Sequence, residues 1–172
     1  VLALDRESGN RENQAYDLGS LADVAFQQGN YAPAQTFYEE SLALHRERGD
    51  KNSIAICLHN LGEVYHQLDN DAQSLVLTEE AASLFRELGV KQGLAVSLAN
   101  LGELTFRGGD PERAQRLYRE ALSMQQELGA KGDILSILLI FAAVALQAGK
   151  PARAVRLYAA AQALWQAIDV AL

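Results

Sequence analysis

Near the middle of the chain, His59, Glu63 and His66 carry the side chains with the most obvious capacity for chemistry. Their spacings of four and three would set them on roughly one face of a helix, as part of a zinc site. A closed zinc site needs four ligands, and no Cys or Asp cluster supplies the rest, so a solvated face accounts for the trio better. Cys57 is the only cysteine. A nucleophilic thiol needs a base oriented by an acid, and the sequence offers no such pair. One residue before Leu58, Cys57 reads instead as a small packed hydrophobe. No Gly-x-Ser-x-Gly, phosphate loop or dinucleotide fingerprint occurs. The expectation is a non-catalytic chain with no cofactor and no metal.

The elements that position these residues follow from composition and pattern. The 172 residues are 49% apolar and 22% charged, enough for a large core and too apolar for disorder. A formal net charge of −7 repels phosphate backbones, which argues against direct nucleic-acid binding. The lone cysteine excludes an internal disulfide and fits a reducing compartment, so a cytoplasmic location is expected. The opening Val1-Leu2-Ala3-Leu4-Asp5-Arg6 has no initiator Met and no basic region ahead of an apolar stretch. The longest apolar run, Ile134 to Leu146, is broken only by Ser136 and falls short of the roughly 20 residues a membrane helix needs. It reads as a helix buried on most sides, and no membrane partner is expected.

The chain aligns with itself at an offset of forty. Gly9, Gly49, Gly89 and Gly129 coincide, as do Leu18, Leu58, Leu98 and Leu138. Gly29, Asp69, Gly109 and Gly149 form a second set, followed by Ala34, Ser74, Ala114 and Ala154, and then by Tyr38, Thr78, Tyr118 and Tyr158. Four repeats are predicted, at about 9–48, 49–88, 89–128 and 129–168. Residues 1–8 look like the tail of a preceding repeat helix, and 169–172 form a terminal segment.

Each unit reads as two helices. Leu94, Leu98, Leu101, Thr105 and Phe106 follow helical spacing, and so do Ala114, Leu117, Tyr118, Ala121, Leu122 and Met124. Between them, Gly109 permits a left-handed stop, Asp110 can cap the next helix, and Pro111 suits its first turn. Gly62 and Gly102 lie inside first helices, where each costs about 1 kcal/mol against Ala. That cost predicts a close backbone approach there, while Tyr38, Tyr118 and Tyr158 would fill the gap between successive hairpins. No stretch alternates like a strand. One hairpin cannot bury both its faces, so the predicted fold is all-α, a right-handed solenoid of tandem helical hairpins.

Leu61-Gly62-x-x-Tyr65 with Ser74, Thr78 and Ala81, and Leu101-Gly102 with Gly109, Ala114, Tyr118 and Ala121, resemble the tetratricopeptide (TPR) repeat. The chain departs from that pattern in its period of forty rather than 34 residues. It departs again where Arg46, Arg86, Gln126 and Gln166 replace the usual closing Pro. The variant with Gly49-Asp50-Lys51, Asn60-Leu61-Gly62 and Asn100-Leu101-Gly102 is similar to animal polarity and spindle-orientation scaffolds, and to bacterial regulators and peptide receptors. The stretch Ala148 to Ala161 is similar to the C-terminal end of bacterial multidomain transcriptional regulators that join an ATPase, a TPR sensor region and a DNA-binding domain. The chain contains no ATP-binding or helix-turn-helix segment of its own, so a fragment of a longer protein is expected.

In TPR arrays the first helices line a concave face, and the resemblance implies binding there. Repeat by repeat, that face carries Asn60 and Asn100, then Asp23, Glu63 and Glu103, then Phe26, His66 and Phe106, with Arg107 beside them. At the C-terminal end it becomes apolar through Leu139, Ile140 and Leu146. Asn both donates and accepts, so Asn60 and Asn100 suit a clamp on an extended peptide backbone, as similar scaffolds use it. The acidic stripe would favour a basic segment, and the apolar end a greasy anchor. Equally, the two Asn could bond neighbouring helices, and the apolar end could cover another part of the parent protein.

The charged residues of the second helices, such as Glu112, Arg113, Arg116 and Arg153, read as a solvated outer face. Leu157, Leu164, Trp165 and Ile168 make the last helix apolar where a stacked array needs a polar cap. Either another helix of the parent protein covers it or two copies meet, and a homodimer joined end to end through 151–172 is predicted. The function expected is a protein- or peptide-binding module, the sensor or assembly region of a larger bacterial regulator. A self-association module without a groove ligand and a small-molecule effector region are the other two classes.

Overall fold

The computed structural model describes residues 11–129, 138, 141–143, 145–146 and 149–169, with side chains placed as far as Ala163. Among the described residues all regular structure is helical. The helices are α1 (Arg11–Gln27), α2 (Tyr31–Arg48), α3 (Lys51–Gln67), α4 (Asp71–Leu88), α5 (Lys91–Arg107), α6 (Pro111–Leu128) and α7 (Pro151–Asp169). The described residues among 138–146 are also helical.

One closing device recurs between helices. Gly49 sits at φ 70°, its N–H bonds Arg46 O at 3.1 Å, and Asp50 N–H reaches back to His45 O at 3.1 Å. These two bonds form a Schellman motif, which satisfies carbonyls that the helix end would leave bare. The next helix then starts on a side-chain cap. Asp50 accepts from Ser53 N at 3.2 Å, Asn70 from Gln73 N at 3.2 Å, and Asp110 from Arg113 N at 2.9 Å ahead of Pro111.

The chain divides into two compact units, Val1–Gly93 and Leu94–Leu172. In the first, α1 packs on α2, α2 on α3 and α3 on α4, so the helices follow one another in order. Small and apolar side chains close these contacts: Ala15, Leu18, Ala22, Ala34, Leu58, Leu61, Val64 and Ala81 are essentially buried. Two hydroxyls stitch helices together, Ser41 donating to Ala15 O at 2.8 Å and Ser74 to Gly62 O at 2.7 Å. In the second unit Leu98, Leu101, Ala114, Tyr118 and Ala121 are buried, and the rings of Tyr118 and Phe141 meet edge to face with centroids 5.8 Å apart.

Two packing expectations are corrected. A Cβ on Gly102 would stand 2.8 Å from the Tyr118 ring, and one on Gly62 would stand 2.5 Å from Thr78 Oγ1. The nearest obstacle is thus a side chain of the same hairpin's second helix, whereas the nearest backbone atom at Gly62, Ser74 O, is 3.5 Å away. The three tyrosines also differ. Tyr38 and Tyr118 are buried, but Tyr158 is 52% exposed and fills no gap.

Candidate functional site

In the first unit α1 and α3 stand as two walls over α2 and enclose a cleft of about 180 Å³. Helical spacing aims the lining inward. Tyr16, Ser20 and Asp23 come from α1, Tyr38, Ser41 and His45 from α2, and Ile56, Cys57 and Asn60 from α3. The walls are partly apolar, since Tyr16 is 50% and Ile56 43% exposed.

Tyr38 organises the polar end. Its hydroxyl donates to the Asp23 carboxylate. That uses its single proton, so the hydrogen bond it shares with Asn60 is donated by the Asn60 amide. Burial, the bond to Asp23 and the charge of Asp23 push the hydroxyl far above the usual phenol range, against the Asn60 bond. It therefore remains a neutral donor at any physiological pH. Asp23 and Asn60, two predicted binding residues from successive repeats, thus share one buried anchor.

The floor is closed to nucleophilic chemistry. Cys57 is buried with Sγ 3.5 Å from Ser41 Oγ, and burial pushes its thiol upward, so the thiolate is disfavoured. His45 is 2% exposed, stacks edge-on against Tyr16 with centroids 5.2 Å apart, and has Nδ1 without a hydrogen-bond partner. Burial lowers its pKa, outweighing the Asp50 carboxylate 3.7 Å away, so the ring is neutral at pH 7.

The other predicted residues of this unit fall elsewhere. Glu63 lies 3.5 Å from His59, whereas His66 Nδ1 turns to Asp71 Oδ1 at 2.8 Å. The trio that suggested zinc is thereby split, and among the described residues no group of three His, Cys, Asp or Glu side chains could hold a metal. Phe26 packs on Tyr31 at 5.6 Å.

In the second unit Asn100 and Phe106 on α5 are half-buried, while Glu103 and Arg107 are exposed. Tyr118 is fully buried with no hydrogen-bond partner for its hydroxyl, which burial and then the Glu103 charge push upward. Leu146 is 62% exposed. Leu139 and Ile140 lie outside the described residues, as do residues 1–8 and the side chains of Leu164, Trp165 and Ile168.

Tyr16, Tyr38, His45 and Ile56 line the cleft without having been predicted to. The forty-residue register placed Tyr38 between hairpins but said nothing of its hydroxyl, whose partners sit on two other helices.

The tetratricopeptide repeat family model matches residues 14–87 and again 53–127. The chain is a tetratricopeptide repeat protein. Its fold is also that of solved TPR-like structures. BtubC from P. vanneervenii superposes with a TM-score of 0.83 at 24% identity over 92% of this TPR chain and 66% of the other. Aspartyl phosphate phosphatase F from Bacillus subtilis gives 0.85 at 12% identity, over 92% and 42%. The Rap conjugation gene regulator of plasmid pLS20, solved with the Phr* peptide, gives 0.77 at 18% identity, over 92% and 44%. The TPR chain thus spans less than two thirds of each of these proteins. No curated protein sequence matches it. Among its described residues no helix is long and apolar enough to cross a membrane. The fold is that of a protein-interaction module.

Proposed function

We propose that the TPR protein is non-catalytic and docks an extended protein segment on the first helices of its repeats, as the sensor or assembly region of a larger bacterial cytoplasmic regulator. The observation that carries this is the first-unit cleft, where one buried hydroxyl holds Asp23 and Asn60 side by side. An amide and a carboxylate so fixed lose little rotamer freedom on binding. Asn60 keeps its carbonyl oxygen and one N–H for a peptide backbone, and Asp23 keeps its second oxygen for a donor. In the second unit Asn100 and Glu103, neighbours on one first helix, offer the segment an amide and a carboxylate without such an anchor, and Leu139, Ile140 and Leu146 receive an apolar anchor. The peptide complex of the plasmid pLS20 Rap regulator supports this use of the fold. A cleft of about 180 Å³ is smaller than the roughly 300–1,000 Å³ of ordinary small-molecule pockets, which disfavours an effector molecule there.

The test is a positional-scanning library of end-blocked nonapeptides, read by fluorescence anisotropy. The double variant Asn60→Ala, Asn100→Ala should lose at least tenfold in affinity for the selected peptides while its helical circular dichroism is unchanged. Unaltered affinity rejects the clamp.

A second reading, self-association through 151–172, rests on Val155 and Tyr158, exposed by 68% and 52%. Tyr158 occupies the register at which Tyr38 and Tyr118 are buried. A strictly monomeric mass by light scattering at high concentration ends it.

A further inference from the structure

We infer that the first-unit cleft seats a single lysine or arginine side chain of the docked segment, its aliphatic stem between Tyr16 and Ile56 and its charged head on Asp23 and Asn60. The inference rests on the docking function proposed above and sharpens it to one subsite. Three features select this occupant.

The first is size and shape. About 180 Å³ is room for a few waters or one long side chain, at roughly 30 Å³ per water, and too little for a folded element. The second is the order of the lining. Partly exposed aromatic and aliphatic walls, followed by a carboxylate and an amide oxygen, match a long apolar stem that ends in a cluster of donors. The third is charge. Asp23 is the carboxylate of the lining, and neither the Tyr38 hydroxyl nor the Cys57 thiol ionises at neutral pH. His45 on the floor is also neutral there, since burial holds it uncharged, so nothing in the lining repels a cation.

Tyr38 acts here as a positioning residue. It touches the guest nowhere, but it orients both groups that do. Loss of its hydroxyl frees the Asp23 and Asn60 side chains while the ring still fills the core.

The test uses the whole chain, labelled with ¹⁵N, and titrates it with n-butylguanidinium, n-butylammonium, n-butanol and butyrate as probes. The two cations should give saturable amide shifts at Tyr16, Ser20, Ile56 and Asn60, with millimolar dissociation constants. Butanol and butyrate should give none at the same concentrations. Asp23→Asn should abolish the cation response. Tyr38→Phe should weaken it about fivefold without moving the amides of the second unit. Equal response to butanol, or survival of the cation response in Asp23→Asn, overturns the subsite. Selection of tight nonapeptides with no preference for Lys or Arg at any position overturns the subsite while leaving the docking function standing. Absence of any selected peptide removes the docking function itself. If Tyr38→Phe binds the cations as the parent does while Asp23→Asn does not, the positioning role alone falls.

Discussion

Tyr38 and Tyr118 stand at the same register of their repeats, both are buried, and each shares its half of the molecule with a first-helix carboxylate, yet their hydroxyls have opposite fates. Tyr38 donates to Asp23 and receives from Asn60. Tyr118 feels the charge of Glu103 but has no hydrogen-bond partner. The residue types explain much of the difference. Glu103 is one methylene longer than Asp23, and the repeat register that places Asn60 after Tyr38 places Ile140 after Tyr118. The ring is kept for the space it fills. Its hydroxyl becomes useful only where polar groups of the right length come with it.

The sharpest way to break this comparison is to remove both hydroxyls. A hydrogen bond to a charged group contributes about 1.5–3 kcal/mol, and the exposure of Asp23 favours the lower end, so Tyr38→Phe should cost about 1.5 kcal/mol. Tyr118→Phe takes away a buried group that is not satisfied, whose desolvation costs about 1–3 kcal/mol, so it should be neutral or stabilising by up to about 1 kcal/mol. Native-state hydrogen exchange reads each unit separately and avoids assuming one cooperative transition in a repeat array. Changes of equal sign and size at the two positions would show that the hydroxyls are equivalent after all.

A second contrast lies about two turns further along the same helices. The register that holds buried His45 in the first unit holds buried Gln125 in the second. Only the histidine titrates. Its pKa is lowered in the folded state by burial, so the folded chain binds fewer protons than the unfolded one between that lowered value and about 6.5. Its contribution is therefore present above pH 6.5 and is lost as the pH falls toward the folded value. Asp50 is also lowered, first by its hydrogen bond from Ser53, and its contribution disappears only below the ordinary carboxylate range. The two windows are separate. Urea titrations at pH 7.5 and 5.5 should show a loss of first-unit stability in the parent that His45→Gln largely removes. A slope as steep in His45→Gln would assign the effect to other groups.

Much of the fold was legible because it depends on local residue types at a fixed period. Gly49 and Pro111 act through their own backbones and Asp110 through a side-chain bond to an N–H three residues on, and the alternation of Leu and Ala columns reports a buried face directly. The site was legible only in outline. Asp23 and Asn60 could be placed on first helices by register, but their meeting at Tyr38 depends on the relative rotation of three helices, which no spacing encodes. His66 failed as a partner of Glu63 for a related reason. Asp71, five residues on and past the turn at Asp69, sits closer to the ring than the register of one helix suggests. Tyr158 shows the limit of the repeat pattern itself. The pattern assigns a residue to a junction and does not say whether the junction is covered.

The smallest expected effect tests whether the turns of the repeats are equivalent. Gly29, Gly109 and Gly149 close their first helices at φ 76°, 88° and 67°, and Asp69 closes its own at φ 57°. A left-handed conformation costs an ordinary L-residue roughly 1–2 kcal/mol, and Asp somewhat less because its short side chain tolerates the region. Glycine meets no such cost but loses more chain entropy on folding, about 0.5–1 kcal/mol. The balance leaves Asp69→Gly stabilising by about 0.5 kcal/mol. The reverse change, Gly29→Asp, should destabilise by a similar amount, because an added Cβ there meets nothing within 4 Å and only the backbone decides. Both variants belong to the first unit, so a single set of exchange measurements compares them directly. If Asp69→Gly destabilised the unit while Gly29→Asp did not, the Asp69 side chain would be stabilising its turn by more than the strain of its φ, and the turns would differ in kind rather than in degree.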